Sequence, residues 1–197
     1  MNAEQENQLG VSALNSQRHH TACLDALKHF EQAAKIEPNN PKYETNAGVA
    51  NQLFIQRWQA HIGDGALISI AIFCKGTPLG IAIDREHHVL ETVSDDNYRL
   101  LVDTANTGLR WYRQAIAAGP SYFNARAWRT QFLRNVGAFS AALQDAVHII
   151  SNSGSDGDSR DTAADVRDYI TSPSSELRRF ISAADAEKMG MPSGVTL

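Results

Sequence analysis

The stretch from Ala26 to Gly48, ALKHFEQAAKIEPNNPKYETNAG, decides how the rest of the chain is read. Ala26, Phe30 and Ala33 recur at steps of four and three, which places them on one stripe of a helix with 3.6 residues per turn. Small side chains on such a stripe let a second helix come close, and Phe30 fills the space between them. Glu37-Pro38-Asn39-Asn40-Pro41 then stops the helix, because proline breaks the hydrogen-bond ladder. From Tyr43 to Leu53 a second helical pattern begins, with Ala47-Gly48 where another close contact is needed. A helix, a tight corner and a partner helix make the unit of a helical repeat.

The pattern recurs. Tyr112, Ala115 and Pro120 reproduce the three-then-five spacing of Phe30, Ala33 and Pro38. After them comes an amphipathic helix over the stretch NARAWRTQFLRN, a glycine at Gly137, and a helix carrying Phe139, Ala142, Leu143 and Ala146.

These residues resemble the tetratricopeptide repeat, a helix-turn-helix unit of 34 residues with small, aromatic and proline positions at fixed offsets. In that register one unit starts at Asn7 and carries Ala26, Phe30, Ala33 and Pro38; the next starts at Pro41 with Gly48 and Ala60. Another starts at Phe123 with Gly137 and Ala142, preceded by one at Val89 with Gly108, Tyr112, Ala115 and Pro120. The resemblance implies an all-α solenoid with units near 7–40, 41–74, 89–122 and 123–156, capped by helices within 161–189, the second introduced by Ser172-Pro173. The starts at 41 and 89 are 48 apart, leaving about 14 residues beyond one repeat. The irregular segment 63–93 holds them and admits two structures. A buried helix from Gly65 to Lys75 ending at Gly76, with a second capped by Thr77-Pro78, suits the helical surroundings; a β-hairpin of Ile68–Phe73 and Leu79–Ile83 around Gly76-Thr77-Pro78 is the alternative. Ser94 or Asp95 caps a long helix running to Ala118.

The chain of 197 residues, 43% hydrophobic, is long enough to bury a core without staples, as one domain. A net charge of −4 gives no basic surface for nucleic acid. Cys23 and Cys74, far apart in a chain whose amino-terminal residues show no secretory pattern, are expected to be free buried thiols in a cytoplasmic protein. The longest apolar run, ALISIAIFC, has 9 residues, too few to span a bilayer.

The resemblance also implies a concave groove lined by the first helix of each unit, suited to a peptide or protein segment. Its positions here are Gln8, Val11, Asn15, Arg18, Lys42, Thr45, Val49, Gln52, Asn124, Ala127, Gln131 and Arg134, none of them acidic. Such a groove favours an acidic segment or a free carboxyl terminus. Asn15 and Asn46 match two positions of the family's carboxylate clamp, but Val11, Asn124 and Trp128 replace basic members, so a chaperone-tail clamp is not expected. The candidate peptide-binding residues are Asn15, Arg18, Lys42, Asn46, Gln131 and Arg134, in a noncatalytic adaptor, chaperone or assembly factor. The alternative is a ligand or catalytic site in the 63–93 segment using Asp84, His87 or His88.

Other constellations read as scaffold. The acid-free run Thr104 to Gln144 sets Arg110, Arg113, Arg126, Arg129 and Arg134 among aromatics, which suits bases in principle but more commonly fills space between helices. His19-His20 and His87-His88 lack the paired short spacings of zinc motifs, so no metal or cofactor is expected. No nucleophile elbow, phosphate loop or dinucleotide glycine triplet is present, and Asp156 to Asp161 matches a calcium loop only in its first residues.

Overall fold

The computed structural model describes residues 1–16, 19–63, 65–172, 176–180 and 195. The described residues form helices and turns with no strand: α1 (Ala3–Ser16), α2 (His20–Ile36), α3 (Pro41–Gln59), α4 (Ala66–Phe73), α5 (Pro78–His87), α6 (Asp95–Ala118), α7 (Phe123–Asn135), α8 (Phe139–Ser151) and α9 (Gly157–Thr171). Short 3₁₀ turns lie at Leu90–Thr92, between α5 and α6, and at Glu176–Arg179, after α9.

Helix starts follow local chemistry. Asn40 Oδ1 accepts from the Lys42 amide at 3.1 Å with Pro41 in the first turn, and Thr77 Oγ1 accepts from the Gly80 amide at 3.1 Å with Pro78 behind it. Ser94 caps α6 through the Asn97 amide at 3.3 Å. Asp156 caps α9, its two oxygens taking the Ser159 amide at 2.7 Å and hydroxyl at 2.8 Å, so the loop resembling a calcium site is a helix cap. Ser172 ends α9; of the capping helix expected after Ser172-Pro173, Glu176–Arg179 form a 3₁₀ turn, while 173–175 and 181–189 lie outside the described residues.

Helices α1, α2 and α3 pack in succession, as do α7, α8 and α9. Between these runs the partner of α3 is α6, not the chain that follows α3. The segments 41–74 and 89–122, read from sequence as two units, thus contribute one close helix pair, with α4 and α5 as an excursion between its members. At the α3–α6 contact the backbones come so near that no side chain fits: a β-carbon on Gly48 would lie 2.7 Å from Tyr112 Cε1, and one on Gly108 would lie 2.8 Å from Phe132 Cε1. Tyr112 is fully buried here, its hydroxyl donating to Gln52 Oε1 at 2.9 Å and its ring meeting Phe132 edge-on at 6.1 Å.

The hairpin alternative for 63–93 does not form. Leu67, Ile68, Ile70, Ala71, Ile72 and Phe73 are all buried, so α4, apart from Ser69, is apolar around its circumference and sits inside the core. A lone two-stranded ribbon there would bury two unpaired backbone edges, whereas a helix satisfies its own amides and carbonyls. Burial therefore overrides the β-branched composition. Gly76, at φ +83°, supplies the left-handed corner between α4 and α5. Both cysteines are free and buried.

Candidate functional site

The positions expected to line the groove divide into two groups. On α1 and α3 several are already bonded or buried. Lys42 Nζ donates to Glu4 Oε2 at 2.8 Å, and Tyr43 donates to the same oxygen at 3.2 Å. That contact holds the Glu4 carboxyl below its ordinary range and Lys42 above its own; because both side chains remain 46% exposed, water weakens the pair. Asn46 Nδ2 donates to Asn7 Oδ1 at 2.6 Å, and Arg57 reaches the Leu14 carbonyl at 2.9 Å. Thr45 and Gln52 are buried, Thr45 on the Pro41 carbonyl and Gln52 under Tyr112. Asn15 and Val11 are exposed; Arg18 lies outside the described residues. The acid-free groove expected from the selected positions is thus not free of acid at this end, since Glu4 of α1 faces Lys42.

On α7 the arrangement differs. Gln131 borders a cleft of about 260 Å³ with Asn124, Trp128 and, from α9, Asp158 and Thr162. One turn further on, Arg134 and Asn135 border a pocket of about 250 Å³ closed by Gln56 and Gln59 of α3 and by Gly63, Gly65 and Ser69. Arg134 is half-buried, lies 5.0 Å over the Tyr169 ring, and donates from Nε and Nη2 to Asn135 Oδ1 at 3.1 and 2.9 Å. Among the described residues it forms no ion pair, and burial pulls its guanidinium below the ordinary arginine range.

Beside it, Gln59 is 4% exposed; its Oε1 accepts from the Ser69 hydroxyl and its Nε2 is buried without a partner. An unpaired buried amide of this kind costs on the order of 1–3 kcal/mol. The first turn of α4 begins at Gly65 with no side-chain cap, so its orphan amides lie at the pocket's edge. Spare guanidinium protons, an unpaired amide and an uncapped helix start together make the pocket rich in donors, suited to a carboxylate or phosphate oxygen.

Compared with family models, curated proteins and solved structures, the chain matches none.

Elsewhere, a larger cleft of about 690 Å³ lies between α2, the start of α3 and α6. Glu44 Oε2 and Trp111 Nε1 border it without partners, and burial raises the Glu44 carboxyl above its ordinary range. The alternative catalytic residues are not assembled. Asp84 Oδ1 accepts from the Leu90 amide at 2.7 Å and holds the turn after α5; His88, at φ +52°, ends that helix; His87 stacks toward Phe180. The arginine-aromatic run is partly neutralised, because Asp145 binds Arg126 at 3.0 Å and Arg129 through two contacts of 2.7 Å. Metal-ligating side chains do converge at one place among the described residues, His19, His20 and His61. Sequence spacing missed His61, which carries no local signal tying it to the other two. Among the described residues no helix is long and apolar enough to cross a membrane.

Proposed function

We propose that the chain is a noncatalytic helical-repeat protein of tetratricopeptide type that binds an acidic segment or carboxyl terminus of a partner protein, seating one carboxylate at Arg134. Three helix pairs support the repeat reading: α1 with α2, α3 with α6, and α7 with α8, closed by α9. The small and aromatic signature residues Ala26, Phe30, Ala33, Gly108, Tyr112, Ala115 and Ala142 are buried. In this reading the second repeat is interrupted between its helices by α4 and α5, and that insertion completes the binding pocket with Gly65 and Ser69.

The observation that carries the proposal is the half-buried Arg134, which forms no ion pair among the described residues although the charge of Asp165 reaches it, beside the unpaired Gln59 amide. Burying a cation costs free energy unless an anion compensates it. Lys42 and Asn46, already paired, contribute less. Fluorescence anisotropy with labelled acidic peptides, ending in a free or an amidated carboxyl group, tests this. The expected result is saturable binding that weakens about ten-fold in Arg134→Gln, the loss of a charged hydrogen bond, and that changes little in Lys42→Gln. Binding unaffected by Arg134→Gln, or no binding of any acidic peptide, refutes it. The small volume of the pocket favours a second reading, in which the occupant is a small carboxylate or phosphate ligand. Thermal shift with phosphate and short carboxylates separates the two.

A further inference from the structure

We propose that His19, His20 and His61 form a site for one borderline transition-metal dication such as Zn²⁺. His19 precedes α2, His20 is its first residue, and His61 follows the end of α3. Helix packing thus brings together a pair and a single residue that lie far apart in the chain. One ligand nitrogen from each ring lies within 4.8 Å of the others, and the ring centroids are separated by 4.1 Å (His19 to His20), 5.8 Å (His20 to His61) and 6.0 Å (His19 to His61). Nitrogens at about 2.0–2.1 Å from a tetrahedral zinc are about 3.4 Å apart, so small rotations of the rings close the set. His19 and His61 are exposed and free to make them.

The surroundings favour a metal. His20 Nδ1 is buried with no hydrogen-bond partner, while the ring is fixed edge-on against Phe54 at 5.5 Å. A lone polar nitrogen is expensive to bury, and coordination would satisfy it. His19 Nδ1 lies 2.9 Å from Thr21 Oγ1; in the tautomer that donates its proton there, Nε2 is open to a cation. The same nitrogen caps α2 by accepting from the Thr21 amide at 3.4 Å, a long contact that coordination through Nε2 would give up.

Three imidazoles and no carboxylate select zinc, cobalt, nickel or copper over calcium and magnesium, which need oxygen ligands. Arg57 borders the same cleft and opposes a cation, though its guanidinium is turned onto the Leu14 carbonyl at 2.9 Å. Cys23 follows His20 by three residues but is not among the converging groups. Three protein ligands leave a fourth position, which opens on a cleft of about 540 Å³ bordered by Gln56 and Ala60. Gln56 also borders the Arg134 pocket, so the two sites are neighbours on one face.

The test is titration of the full chain, stripped with EDTA, with Co²⁺ followed by visible absorption and with Zn²⁺ followed by calorimetry. The expected result is one ion per chain with a tetrahedral cobalt spectrum, and a Zn²⁺-dependent rise in Tm, because the ion ties the corner before α2 to the end of α3. His61→Ala is expected to weaken binding at least about ten-fold and abolish the rise, while His87→Ala with His88→Ala leaves both unchanged. Circular dichroism without metal checks folding, and the exposed His19→Gln serves if His61→Ala does not fold. Absence of saturable one-to-one binding, or binding that persists in both variants, overturns the proposal.

Discussion

Replacing Gly48 with alanine tests the contact on which the fold turns. In an open helix the change stabilises by about 1 kcal/mol, because alanine has less backbone freedom to lose. At this position the new β-carbon would lie 2.7, 2.8 and 2.9 Å from three atoms of the Tyr112 ring. The ring cannot swing away, since it is fully buried, bonded to Gln52 Oε1 at 2.9 Å and packed edge-on against Phe132. Overpacking a fixed site of this kind costs about 3 kcal/mol, the upper end of the usual range, for a net loss of about 2 kcal/mol. In a chain of this length that lowers Tm by about 4–8 °C.

Gly157→Ala is the control, because a β-carbon at that helix start meets nothing within 4 Å. Differential scanning calorimetry of the two variants, with Tyr112→Leu added to each, gives a double-mutant cycle. The loss from Gly48→Ala should shrink when the ring is removed. A Gly48→Ala protein as stable as Gly157→Ala, or a cycle with no coupling, would falsify the pairing of α3 with α6.

Three further outcomes follow from the geometry. Asp145→Ala should lose about 3 kcal/mol in urea unfolding, at the low end for breaking a buried ion pair because Arg126 and Arg129 still reach water; an unchanged midpoint removes Asp145 from the list of fold determinants. Glu44 has its folded pKa raised by burial, so near and above pH 4.5 the folded state holds more protons than the unfolded one and stability falls as pH rises. Glu44→Gln should therefore be more stable than the parent at pH 7 and lose the advantage near pH 4, and a constant difference across that window contradicts the assignment. Burial pushes the Cys74 thiol up to about 12 and raises Cys23 as well, so both should resist a disulfide reagent at pH 8 in the native protein and react together in denaturant; fast native labelling of Cys74 would show that α4 is not held in the core.

What could be read in the sequence was local. The corner at Asn40-Pro41, the Thr77-Pro78 start and the Ser94 cap each depend on three or four adjacent residues, and each sits where the sequence placed it. The partner of α3 was not legible, for a physical reason. The spacing of Gly108, Tyr112 and Ala115 records how closely another helix approaches their stripe, and that requirement is the same whichever segment of chain supplies the other helix. An insertion between two paired helices changes neither helix's pattern; it only changes the distance along the chain at which they meet. Counting residues therefore assigned α3 and α6 to different units, although Gly48 and Tyr112 are in each other's way by design of the contact. The site suffers more from the same limit. Glu4 neutralises Lys42 from ahead of the first counted unit, Asp145 holds its two arginines from one residue beyond the acid-free run, and His61 joins His19 and His20 only through helix packing. Arg134 was named from its repeat position, but the pocket it borders was not legible, because that pocket is completed by Gln59, Ser69 and Asn135, which occupy no signature position. Signature residues are held by the close approach of backbones and so mark faces; the groups that choose a ligand lie between those faces, where the only constraint is what each leaves unsatisfied.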